Sequence, residues 1–158
     1  MTRLMALDVG DVRIGVALSD ASGFLASPYT TLRTSRDETQ TWDAIQHMIR
    51  ETEAEGLIVG LPISLDGEIH AQGARVQAFA ERLQQHITIP ITYWDERLST
   101  VEAQRLLAER EQEAQGERAR TGGRHSGGAR RHRRKKQEID ALAAAVILQE
   151  YLDQLPGK

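Results

Sequence analysis

Two short apolar runs near the N-terminus, Leu4–Leu7 and Ile14–Leu18, are separated by only six residues. A parallel neighbour needs a crossover of a dozen residues or more, so these runs can pair only as an antiparallel hairpin. Gly10, within Asp8-Val9-Gly10-Asp11, supplies the turn. The first run shows no polar alternation, as expected of a strand buried on both faces. A second turn, Asp20-Ala21-Ser22-Gly23, leads into a third expected strand, Phe24–Leu32, which Pro28 confines to a sheet edge or makes irregular.

The pattern then changes period. Ser35-Arg36-Asp37-Glu38 reads as a capping box opening a helix with Trp42, Ile45, Met48 and Ile49 on one face and Gly56 as its stop. Leu57–Val59 is a fourth strand, followed by the loop residues Gly60-Leu61-Pro62 and Asp66-Gly67. Val76, Phe79, Ala80 and Leu83 mark a second helix, and Ile89–Trp94 a fifth strand, interrupted by Pro90 near its start. Ser99-Thr100-Val101-Glu102 opens a third helix carrying Ala103, Leu106 and Leu107, and Glu138–Leu152 forms the last. Hairpin strands followed by strands alternating with helices predict an α/β fold on a mixed sheet, one domain over residues 1–158.

Charge divides the chain unevenly. The net charge is −3, yet Gly116–Lys136 holds seven Arg and two Lys against one acid, Glu117. An acidic body with a concentrated basic segment points to a polyanionic partner. The longest uninterrupted apolar run, Ala141–Leu148, is eight residues, far below the roughly 20 that span a bilayer. The N-terminal apolar stretch ends at Asp8, with no secretory pattern, so a cytoplasmic protein without membrane attachment is expected. Five Gly and no aromatic residue between 116 and 136 predict a flexible basic loop at about 115–136. Its Arg130, Arg131, Arg133, Arg134, Lys135 and Lys136 are candidates for phosphate contacts.

The absence of cysteine excludes a thiolate nucleophile, a disulfide scaffold and Cys-ligated zinc or iron–sulfur centres. The five His residues show no metal spacing, and the Walker pattern is absent. Acids are left to carry the chemistry. Asp8 ends the first strand, Asp95 and Glu96 end the fifth, and Asp140 lies on the apolar face of the last helix. In open α/β sheets, sites form outside the carboxyl ends of strands. Separated carboxylates without soft ligands suit Mg²⁺ or Mn²⁺, one or two ions, of the kind that clamps a phosphoryl transfer. Each acid also has a plainer role: Asp8 in shaping the turn, Glu96 in pairing with Arg97, Asp140 in complementing the helix dipole.

Ala6-Leu7-Asp8-Val9-Gly10, Arg13-Ile14-Gly15-Val16-Ala17 and Ser19-Asp20 together resemble the opening signature of the YqgF/RuvX family, a branch of the RNase H-like superfamily. The resemblance continues in order through Val59-Gly60-Leu61-Pro62, Asp66-Gly67, Asp95-Glu96-Arg97-Leu98-Ser99-Thr100 and Ile139-Asp140-Ala141-Leu142-Ala143-Ala144, to the tail Ile147–Leu152. It implies an RNase H-like fold, a five-stranded mixed sheet of order 3-2-1-4-5 flanked by helices. It also implies a catalytic, metal-binding triad of Asp8, Glu96 and Asp140. The implied activity is a metal-dependent endonuclease acting on structured nucleic acid, in 5′-end maturation of precursor 16S rRNA or in Holliday junction resolution. Arg13 and Arg97 are further candidates for phosphate contacts. Asp11-Val12 departs from the Thr-Lys or Thr-Arg common in the family, which predicts weaker phosphate contact near Asp8.

Symmetric cutting of a two-fold junction favours a homodimer, although no isolated apolar stripe marks a dimer face. A non-catalytic ribosome-assembly or junction-binding factor is the alternative, distinguished by whether Asp8 and Asp140 converge. An actin-like ATPase shares the Asp-x-Gly turn but binds nucleotide between two such domains, and 158 residues hold one.

Overall fold

Period-two alternation sorts the N-terminal strands onto two faces. In the computed structural model, which describes residues 2–62, 66–95 and 128–155 and only the backbone of 128–137, β1 spans Leu4–Val9. Its Met5, Leu7 and Val9 join one apolar core, and Leu4 and Ala6 join a second on the opposite face. β2 (Arg13–Ser19) pairs antiparallel to β1 with Asp8 opposite Gly15, and β3 (Ala26–Arg33) pairs antiparallel to β2. β4 (Gly56–Leu61) and β5 (Ile91–Asp95) add in parallel on the other side of β1, giving the order β3-β2-β1-β4-β5. This is the expected RNase H-like order. All six residues of β4 are buried, as a strand with helices over both faces requires. Pro28 lies on edge strand β3, beside a bulge at Val16/Ala17, where its missing N–H costs no ladder bond.

Helices α1 (Glu38–Thr52) and α2 (Ala71–Gln84) build the first core with Trp42, Ile45, Met48, Val76, Phe79 and Leu83. The Trp42 and Phe79 rings meet with centroids 5.0 Å apart. Helix α3 (Gly128–Gln154) covers the other face with Ala144, Ala145, Ile147, Leu148 and Leu152.

Three boundaries differ from the sequence expectation. Asp37, not Ser35, caps α1: its carboxylate accepts from the Thr39 N–H, while Ser35 Oγ accepts from the Asp37 N–H. Both are good cap residues two positions apart, and local sequence does not rank them. Helix α1 stops not at Gly56 but at Glu53, which takes the left-handed conformation at φ 58°. Gly56 instead opens β4, where an added Cβ would lie 2.8 Å from the Leu4 side chain. The third correction concerns the basic segment. Expected as a loop through Lys136, it is helical from Gly128, ten residues before the expected start at Glu138. Arg and Lys favour helix, and lengthening a docked helix needs no new nucleus. The helix expected after Ser99 lies outside the described residues.

The approach of α3 to the sheet is close because both surfaces carry small residues. A Cβ added at Gly15 would lie 1.8 Å from the Asp140 carbonyl oxygen, a backbone atom that cannot rotate away. Gly15→Ala is therefore expected to cost about 3 kcal/mol or more, read as a lowered midpoint in urea unfolding.

The β2–β3 turn is organised by Asp20. Its carboxylate accepts from Ser22 Oγ at 2.7 Å and from the Phe24 and Leu25 N–H groups. The Ser22 hydroxyl is the main reason its carboxyl titrates below the ordinary 3.8. A depressed carboxyl stabilises the fold above its unfolded value, and that contribution is lost as pH falls through the folded value. The stability difference between wild type and Asp20→Ala is thus expected to be widest near neutral pH and to close below 3.8, in unfolding curves taken across pH.

Candidate active site

Strand alternation directs Asp8 to the α3 side of the sheet, since Leu4 and Ala6 already face that core. Arg13, Gly15 and Ala17 share the same side of β2, and Ala17 packs in the α3 core. Gly15 stands directly across from Asp8 in the ladder, so their Cα atoms are about 5 Å apart. The Asp140 backbone rests on that same Gly15. Asp8 and Asp140 thus both adjoin one residue without a side chain, near the carboxyl end of β1. Each is half-buried.

Arg13 closes this corner. Its Nε donates to Asp140 Oδ2 at 2.6 Å, a charge-assisted bond joining residues 127 positions apart in the chain. Arg13, expected as a phosphate contact, is thus engaged with one of the candidate acids. On the far side of β1, Gly60 of β4 pairs with Trp94 of β5, one row beyond Leu7–Val59–Tyr93. Trp94 Nε1 donates to Glu150 Oε2 at 3.2 Å, and its ring meets Tyr151 edge-on at 5.8 Å. The end of β5 is therefore tied to α3 at Glu150 and Tyr151. Asp95 is the last residue of β5, while Glu96 and Arg97 lie outside the described residues.

The basic residues Arg130, Arg131, Arg133, Arg134, Lys135 and Lys136 lie on α3, N-terminal to Asp140. At 1.5 Å per residue, their backbone positions fall within about 15 Å of Asp140 along the helix axis. The cationic segment and Asp140 thus lie on one helix. Asp11 lies on the other side of the sheet, with its carboxylate 3.5 Å from Arg75 of α2. It lines a cleft of about 320 Å³ with Thr34, Ser35, Glu38 and Arg82, away from the Asp140 corner. The acid expected to weaken phosphate contact near Asp8 is turned to a separate cation.

Among the described residues, no group of three His, Asp or Glu side chains forms a metal cage. The two carboxylates still suit a hard ion. Mg²⁺ keeps several waters and takes one or two protein carboxylates alongside substrate phosphate. Three residues of the arrangement were missed by residue chemistry alone. Gly15, a glycine inside an apolar strand, marks close backbone approach, and Trp94 with Glu150 forms the tie between β5 and α3.

Comparison with known proteins shows what the whole chain is similar to. Residues 2–154 match the family model described as "RuvX: Holliday junction resolvase". A Thermoanaerobacter pseudethanolicus protein named "Putative pre-16S rRNA nuclease" is 42% identical over 156 residues, covering 99% of both chains. A Roseiflexus protein of the same name is 41% identical over 151 residues, covering 96% of this chain and 94% of its own. Among solved structures, Fowlpox virus resolvase in complex with Holliday junction DNA superposes with a TM-score of 0.55 at 7% identity, over 98% of this chain and 99% of its own. T. thermophilus RuvC in complex with a Holliday junction substrate gives 0.50 at 13% identity, over 98% of both chains. Identities this low speak to the fold alone. The sheet order, the full-length match and the relatives at about 40% identity lead to one conclusion: this chain belongs to the RuvX family, a family of nucleases with an RNase H-like fold.

Proposed function

We propose that this protein is a cytoplasmic, divalent-metal-dependent endonuclease that processes the 5′ end of precursor 16S rRNA. The observation that carries the reading is the juxtaposition of Asp8 and Asp140 across Gly15. A protein that only bound nucleic acid would have no use for two carboxylates gathered beside its phosphate-binding cations, because they repel the ligand. The names of the full-length relatives support rRNA as the substrate.

Asp8 and Asp140, joined by Glu96 from the segment after β5, would hold one or two Mg²⁺ or Mn²⁺ ions. A divalent cation held there supplies Lewis-acid polarisation of the scissile phosphate and neutralises charge developing on its oxygens. The protein's own part is positioning. Asp8 is fixed by the central strand, and Asp140 by a helix pressed onto that strand's neighbour. Arg130, Arg131, Arg133, Arg134, Lys135 and Lys136, with Arg97, contact backbone phosphates, so binding is salt-sensitive and reads shape more than sequence. Because α3 carries both the cations and Asp140, a strand bound along the helix is led to the acids.

The test compares a precursor rRNA 5′ fragment with a four-way DNA junction at one salt concentration, each with Mg²⁺, Mn²⁺ or EDTA. Cleavage of the RNA is expected with either metal and not with EDTA. Asp8→Asn and Asp140→Asn are each expected to lose at least about a hundredfold in rate, since loss of a partner behind a metal ligand alone costs 10–100-fold. Activity that survives EDTA or either substitution overturns the mechanism. Cutting of the junction alone, by a dimer, would assign resolution instead. Tight binding with no cleavage of either substrate would assign an assembly factor.

A further inference from the structure

The Arg13–Asp140 bond is an unusual resting place for both partners. The two candidate acids lie on one face at the carboxyl end of β1, where neighbouring carboxylates repel unless a cation stands between them. Arg13 is a cation that the fold supplies to Asp140. It lies on Gly15's strand two residues earlier, on the same face, and reaches Asp140 Oδ2 from there.

The form of the bond suggests an exchangeable partner. Among the described residues, this is the one hydrogen bond made by the Arg13 side chain, through Nε to a single oxygen. A guanidinium committed to holding a carboxylate commonly uses two parallel N–H donors. Here the remaining donors of the planar head are not spent on Asp140. The pair is also open to the surface, with side-chain exposures of 33% and 25%. A long side chain at a strand's first residue can move its head while its backbone stays in the ladder.

We propose that Arg13 is a displaceable counterion. It neutralises Asp140 while the acids hold no divalent cation, and it leaves Asp140 for the substrate phosphate when one is bound. The proposal rests on Asp140 being a metal ligand, as argued above. A guanidinium and a divalent ion sharing one carboxylate oxygen repel each other, so each weakens the other's hold on Asp140. The head that leaves is suited to phosphate, which it can meet with two donors at once. Arg13 would thus guard the acids in the resting protein and then add to substrate binding, with loading and binding coupled.

The experiment measures Mn²⁺ affinity by electron paramagnetic resonance in full-length protein without nucleic acid, for wild type, Arg13→Gln, Arg13→Lys and Asp140→Asn, after circular dichroism has confirmed folding. Arg13→Gln is expected to bind Mn²⁺ at least about fivefold more tightly than wild type, the low end of typical coupling between sites. Arg13→Lys, which keeps the charge but not the planar donor, is expected to fall between the two. It carries the test by itself should Arg13→Gln fail to fold. In a second readout, affinity for an RNA oligonucleotide is expected to fall in Arg13→Gln when Ca²⁺ is present and to stay at the wild-type value in EDTA. Mn²⁺ affinity in the Arg13 variants that is equal to or weaker than wild type would overturn the proposal and make Arg13 a fixed support for Asp140. Asp140→Asn separates the two readings: if it binds Mn²⁺ as wild type does, Asp140 is no ligand, and the site assignment fails before the role of Arg13 is reached.

Discussion

The arrangement rests on one steric fact, the contact between Gly15 and the backbone of Asp140. A helix normally stands off a sheet by the depth of a layer of side chains. Here a strand position with no side chain, on the face that also carries Ala17 and opposite a helix with Ala144 and Ala145 in its core face, lets α3 sink until backbone meets backbone. That depth brings Asp140 next to the residue paired with Asp8, and its carboxylate within reach of Arg13. Any larger residue at position 15 would lift the helix and draw the acids apart, even with every carboxylate still present.

The two faces of the sheet divide the work accordingly. The α1/α2 face is a core of large side chains, with Trp42 and Phe79 in ring contact and Met5, Leu7, Ile14 and Val16 beneath. Burial of that kind gives most of the stability of a domain this size and tolerates little change in volume. The α3 face is built from smaller residues and buries less. It is joined by directed contacts as well: Arg13 to Asp140, Trp94 to Glu150, and the Gln149 side chain to the Ala26 N–H and the Phe24 carbonyl. The α1/α2 face holds the larger core, and the α3 face, apolar but smaller, sets the position of Asp140.

Much of this was legible from residues alone. The six-residue gap after Leu7 forced the hairpin, Pro28 marked the edge strand, and helical spacing located the buried faces of α1 and α2. Asp8 and Asp140 stood out as acids in apolar settings at strand and helix positions. What could not be read locally depends on tertiary contact. Glycine at position 56 looked like a helix stop, but its role is to admit Leu4 from the neighbouring strand. The basic segment looked like a loop because its glycines and missing aromatics argue against independent folding, yet from Gly128 it is carried as helix by the apolar half that docks on the sheet. The partnership of Arg13 with Asp140 spans 127 positions, beyond any pattern of spacing. Glu96 and Arg97 lie outside the described residues, so their expected roles stand on sequence alone.

The separation of Arg13 from Asp140 also bears on the order in which the protein becomes complete. The five described strands and the α1/α2 core lie before residue 96, whereas Asp140 and its neighbours on α3 are translated well after them. A chain cut short before α3 holds every residue of the sheet and still lacks the acid that packs on Gly15. The sheet face bearing Asp8 would then be bare, with Ala6, Ala17 and Ile58 awaiting their cover. The acidic corner is therefore completed only once α3 has been made: a chain must reach Asp140 to carry both carboxylates.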